Sequence, residues 1–138
     1  MRIMAIDYGD AHTGIAISDP TGFLTGFTTV INAYRPEAVA ERVAALAAEH
    51  GVEELVLGHP INMDGTRGPR SEKAQAMKAL LEERVSLPVI LWDERRTTID
   101  AHQILMGSGK NAKQRKKVVD AVAASLILEG YLTFKKSH

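Results

Sequence analysis

The chain has 138 residues, 45% hydrophobic and 25% charged, which suits one domain with a real core and excludes a disordered polymer. It contains no cysteine, which rules out disulfides and thiolate metal sites and fits a reducing, cytoplasmic setting. Seventeen basic and seventeen acidic residues cancel, so net charge points to no partner, and neither a secretory leader nor a membrane-spanning stretch is expected.

Residues 2–7 read as a short apolar strand, followed by Gly9 and Asp10 as turn residues. Thr13 to Ser18 form a second strand of small and β-branched residues. The turn Asp19-Pro20-Thr21-Gly22 leads to a third strand over 26–31. After Pro36 the period changes: Val39, Val43, Leu46 and Ala47 recur at helical spacing until Gly51. Residues 53–57 form a compact strand ending at Gly58, and a turn-rich loop from His59 to Pro69 precedes a helix over 71–83. Residues 88–92 are a further apolar strand. A helix is expected from Thr97, whose spacing to Asp100 resembles a capping box, and after Gly107-Ser108-Gly109 a last helix is expected over 114–134. The order β-β-β-α-β-α-β-α-α predicts an α/β fold. Its mixed five-stranded sheet has three hairpin-linked antiparallel strands, then parallel β-α-β units, flanked by helices. No internal repeat or long linker divides the chain, so residues 1–138 are expected to form a single domain.

Four places carry candidate chemistry, and a basic run stands apart from them. Asp7-Tyr8-Gly9 puts a carboxylate at the end of an apolar strand, which reads either as a plain turn or as an acid at the sheet edge. Asp93-Glu94-Arg95-Arg96 follows a parallel strand, where open α/β sheets gather ligands, although acids at a helix start need no further role. Asp120 lies in the last helix among Ala121, Ala123 and Ala124, with Lys116 four residues earlier as a simple helix pair. The loop around Gly58-His59-Pro60 reads either as an ordinary surface loop, which explains its Gly and Pro equally well, or as one that brings Asn62, Arg67 and Arg70 to a phosphate. The run Lys110, Lys113, Arg115, Lys116 and Lys117 reads as a solvated face or as a nucleic-acid contact. Acids far apart in sequence, with no cysteine and no histidine cluster, suit Mg²⁺ or Mn²⁺ rather than zinc.

Taken together, four blocks make the chain resemble the YqgF family, also called RuvX. They are Ile6-Asp7-Tyr8-Gly9 with Gly14-Ile15-Ala16; Gly58 and Pro60 with Asn62-Met63-Asp64-Gly65-Thr66; Asp93-Glu94-Arg95 with Thr97-Thr98; and Lys116-Lys117-Val118-Val119-Asp120 with Ala123-Ala124 and Leu126-Ile127-Leu128. The resemblance implies a ribonuclease H-like fold and a nuclease that uses Mg²⁺ or Mn²⁺. It implies a site of Asp7, Glu94 and Asp120, with Asp93 the rival for the middle place. Implied partners are structured RNA such as the 16S rRNA precursor, possible contact with ribosomal particles, or branched DNA cut as a junction resolvase; no membrane is implied, and oligomeric state is left open. A non-catalytic RNA-binding module is the competing class. Two positions depart from the family pattern: Asp10-Ala11-His12-Thr13 lacks the basic residue common after the first Asp-x-Gly, and His59 stands where a large apolar residue is common.

If the basic run binds nucleic acid, replacing Lys113, Arg115, Lys116 and Lys117 by Glu should weaken affinity and flatten its salt dependence, because fewer counterions are released. A folded variant with unchanged affinity and salt slope would return the run to an ordinary solvated face.

Overall fold

The computed structural model describes residues 1–60, 68–93 and 112–137, with side chains in the last segment described from 121 to 136. Five strands, β1 (Ile3–Asp7), β2 (His12–Ser18), β3 (Thr25–Asn32), β4 (Glu54–His59) and β5 (Val89–Asp93), form one sheet in the order β3-β2-β1-β4-β5. The pairs β1–β2 and β2–β3 are antiparallel, while β1–β4 and β4–β5 are parallel. This is the mixed sheet that three hairpin-linked strands followed by crossovers predict. Helices α1 (Pro36–His50), α2 (Pro69–Arg84) and α3 (Ala112–Ser137) accompany it among the described residues. The helix expected from Thr97 lies outside them.

The sheet is covered on both sides, and the strand residues sort accordingly. Met4, Ile6, Ile15, Ile17, Leu55 and Leu57 join α1 and α2 in one core. Ile3, Ala5, Ala16, Val56 and Trp92 join α3 in the other. Because β1 faces apolar helices on both sides, it carries no polar alternation, as central strands flanked by crossovers require. β3, at an edge, leaves Phe27 and Thr28 exposed.

α1 begins at Pro36, whose missing N–H costs nothing in a first turn, and ends at Gly51 in the left-handed conformation at φ 66°, whose amide caps the helix carbonyls. Two strands run further than their residue types suggest. β4 reaches His59 because that ring is buried and its Nε2 lies 2.6 Å from Ser71 Oγ on α2. β5 reaches Asp93, which pairs across from His59. The last helix exceeds the expected 114–134 by two residues at the start and three at the end.

Glu54 starts β4 as a buried carboxylate, a state that is stable only with partners. Tyr131 donates to Oε1 at 2.5 Å and Lys135 donates to Oε2 at 2.9 Å, both from α3. Trp92 packs edge-on against Tyr131 at 5.4 Å and Phe134 at 5.4 Å. These contacts fix the second half of α3 on the sheet. Burial, then the hydrogen bond to Glu54, pushes the Tyr131 hydroxyl above its ordinary value.

Tyr131→Phe should therefore cost about 1–3 kcal/mol in urea unfolding near neutral pH, since it strips a donor from a buried carboxylate. A raised folded-state pKa stabilises the native state fully below about pH 10 and loses that contribution as pH rises through the folded value. The parent should thus lose stability in alkali more steeply than Tyr131→Phe. Equal stability at neutral pH would show that Lys135 alone satisfies Glu54.

Candidate active site

The three parallel strands present their carboxyl ends side by side, which is where open α/β sheets collect ligands. Asp7 ends β1, the central strand. Its partner across β2 is Gly14. The parallel register of Ile6 with Leu57 brings Gly58 of β4 next to it on the other side. Two glycines thus flank the half-buried Asp7 in the sheet row.

Gly9 makes the turn behind Asp7 possible. A Cβ there would overlap the carbonyl oxygen of His12, and the Gly9 amide donates to Thr13 Oγ1 at 3.4 Å. The Asp-x-Gly pattern is therefore a turn and also a means of ending β1 on an acid at the sheet edge. Both sequence readings of this segment hold together.

Asp7 lines a cleft with Tyr8, Asp10, Gly58, Pro60, Arg70, Lys73 and Ala74. Burial, then the charge of Asp10, raises the Tyr8 hydroxyl above its ordinary value. A hydrogen bond from Lys73, then the Lys73 charge, holds Asp10 below the usual carboxylate range. Of the residues expected to meet phosphate, Arg70 stands exposed in the first turn of α2 and shares this cleft with Asp7. Asn62 and Arg67 lie outside the described residues, as does Glu94. Lys113, Arg115, Lys116 and Lys117 all fall in the first turns of α3.

Asp120 belongs to α3, and its helical register matches Ala124, Ile127 and Tyr131, all buried against the sheet. Asp93 is placed differently. Ile3 and Ala5 share the α3 face of β1, so Asp7 follows on that face, whereas Trp92 takes the α3 face of β5 and Asp93 alternates away from it. Asp93 sits across from His59, whose ring meets Ser71 of α2. Among the described residues no three His, Asp or Glu gather closely enough to hold a metal ion.

Lys73 is a cleft residue that sequence reasoning passed over. Its only signal is its position three residues after Arg70 on an N-terminal helix turn.

Relatives of this chain are near its own length. One from Halothermothrix orenii, named "Putative pre-16S rRNA nuclease", is 43% identical over 135 residues, spanning 98% of this chain and 96% of the relative. A relative of the same name from Geobacillus thermodenitrificans is 41% identical, spanning 99% of this chain and 100% of its own. Among solved structures, Thermus thermophilus RuvC in complex with a Holliday junction substrate superposes with a TM-score of 0.61 at 14% identity, covering 97% of this chain and 96% of that one. Fowlpox virus resolvase with Holliday junction DNA gives 0.53 at 13% identity, covering 99% and 98%. At such identities the likeness shows the fold alone, and that fold is the ribonuclease H-like one expected from the sequence blocks. The family model described as RuvX, Holliday junction resolvase, matches residues 1–134, and the chain belongs to the RuvX family.

Proposed function

We propose that residues 1–138 form one nuclease domain that hydrolyses phosphodiester bonds with a bound Mg²⁺ or Mn²⁺, acting in the cytoplasm on the 16S rRNA precursor. The observation that carries this reading is the position of Asp7. It ends the central strand at the carboxyl edge, between two glycines and in a cleft that also holds Arg70, Lys73 and Asp10, in a chain matched over 98% of its length by a relative named "Putative pre-16S rRNA nuclease".

Asp7, Glu94 and Asp120 are the proposed ligands. Their oxygen donors are the hard type that Mg²⁺ and Mn²⁺ prefer. Strand parity supports Glu94 over Asp93, since alternation takes Asp93 off the face that Asp7 shares. Asp120 stands eleven residues before Tyr131, about 16 Å along the helix at ~1.5 Å per residue. Tyr131 is tied to Glu54 at the amino end of β4, and the five steps from Glu54 to His59 span about 16 Å. The helix is thus long enough to carry Asp120 back to the carboxyl edge.

Three carboxylates brought close repel one another, and a divalent cation relieves that repulsion. The bound ion would supply an activated water and charge stabilisation at the departing oxygen. Arg70 would hold the phosphodiester backbone against the cleft wall, and the basic first turns of α3 would draw in more distant phosphates. The family description favours a second substrate, branched DNA, so both belong in one experiment.

A pre-16S rRNA fragment and a four-way DNA junction should be offered side by side with Mg²⁺ or Mn²⁺. Cleavage of the RNA is expected, and preferential cleavage of the junction would move the assignment to resolvase. Asp7→Asn, Glu94→Gln and Asp120→Asn should each lower cleavage by at least about 100-fold while binding persists. Each should also gain less thermal stability from the metal than the parent does. Asp93→Asn should be milder. If the three variants cleave like the parent the proposed site is wrong, and if only Asp93→Asn is inactive the middle ligand is misassigned. A parent that binds RNA and cuts neither substrate would be a binding module.

A further inference from the structure

The wall of the cleft beside Asp7 comes from the first turns of α2, where Arg70 and Lys73 stand at adjacent positions on one helix face. Lys73 is engaged across the fold: its Nζ lies 2.7 Å from Asp10 Oδ1, in a residue of the β1–β2 turn. The two side chains are 54% and 67% exposed, so this ion pair contributes little to stability. Arg70 also acts on the same carboxylate, adding to the effect of Lys73 in holding Asp10 below the usual carboxylate range. Lys73 therefore pairs directly with this surface anion at the mouth of the cleft, and Arg70, one turn earlier on the same helix face, adds a weaker attraction.

We propose that Arg70 and Lys73 form a phosphate subsite beside Asp7, and that in the free protein Asp10 occupies it in place of a nucleic-acid phosphate. The proposal rests on reading the cleft as the place where a phosphodiester backbone lies. A phosphodiester carries one negative charge and acceptor oxygens, so it can replace the Asp10 carboxylate one for one. Lys73 suits the exchange, because a flexible ammonium can turn from one oxygen to the next, whereas a guanidinium fork is pre-shaped. Asp10 is exposed and can turn to water when released. The pairing also has a use before substrate arrives. Two uncompensated cations beside Asp7 would oppose the entry of a divalent ion, and Asp10 offsets one of them.

The test is a double-mutant cycle on binding, set beside the cleavage assay with Mg²⁺ or Mn²⁺. Affinity for a pre-16S rRNA fragment is measured in EDTA over a salt series for the parent, Lys73→Gln, Asp10→Asn and the double variant. Lys73→Gln should weaken binding roughly fivefold and lower the salt slope by about one, as loss of a phosphate contact does. Asp10→Asn should tighten binding in the parent background and do so far less once Lys73 is Gln, because Asp10 acts mainly through Lys73 and only weakly through Arg70. Lys73→Arg should keep most of the affinity, and all variants should melt with the parent. Equal tightening by Asp10→Asn in both backgrounds would reduce Asp10 to one surface charge among many and overturn the proposal, as would a parent that does not bind the RNA. A parent that binds with the predicted pattern but never cuts would overturn the nuclease reading and leave the subsite standing. Normal cleavage with an additive cycle would do the reverse.

Discussion

The structure depends on the burial of β1 from both sides. Met4 and Ile6 are sealed by α1 and α2, and Ile3 and Ala5 by α3. A strand so enclosed can carry no polar group along its length, because a buried unpaired polar atom is costly. Its first acid can stand only where the sheet ends. Asp7 is that acid, and the neighbouring parallel strands end at the same level. The position of the candidate site is thus a consequence of how the core is divided between two helical layers.

α3 is the second structural constraint, because it closes one face of the sheet and carries Asp120. Its placement is set at the far end of the sheet, where Glu54 accepts hydrogen bonds from Tyr131 and Lys135. A buried carboxylate with two partners is a poor way to gain stability compared with an apolar contact, yet removing one partner is costly. Such a group fixes one arrangement of helix on sheet. Trp92 adds shape to that fixation, since its ring meets Tyr131 and Phe134 on the same helix. The anchor and the candidate ligand lie on one stripe of α3, separated by about the length of β4.

Much of this was legible in the sequence, for identifiable reasons. The three-stranded meander follows from short apolar runs and from the turn at Asp19–Gly22, where Gly22 takes φ 77°. Pro36 and Gly51 mark both ends of α1. The ends of β4 and β5 were less legible, because Gly58, His59 and Asp93 have no strand signature of their own. Their ladder and the His59–Ser71 contact extend the strands, and neither is a local property. The family resemblance puts Glu94 ahead of Asp93 in the middle place; what the sequence does not show is that Asp93 alternates away from the face that Trp92 takes. Asp10 and Lys73 are 63 positions apart, so nothing in the sequence pairs them. The same holds for Glu54 with Tyr131 and Lys135.

The central claim is that one divalent ion is held at the carboxyl edge by Asp7 together with acids from β5's exit and from α3. Mn²⁺ broadens the magnetic resonance signals of nearby amides and so reports its own position. Sub-stoichiometric Mn²⁺ should broaden Tyr8, Gly58 and their neighbours. It should broaden Ile3 and Glu54 far less, since they lie about 13 Å from Asp7 and Gly58 at the opposite end of the strands. Asp7→Asn should abolish the selective broadening. Broadening centred elsewhere, or the same pattern in Asp7→Asn, would contradict the account.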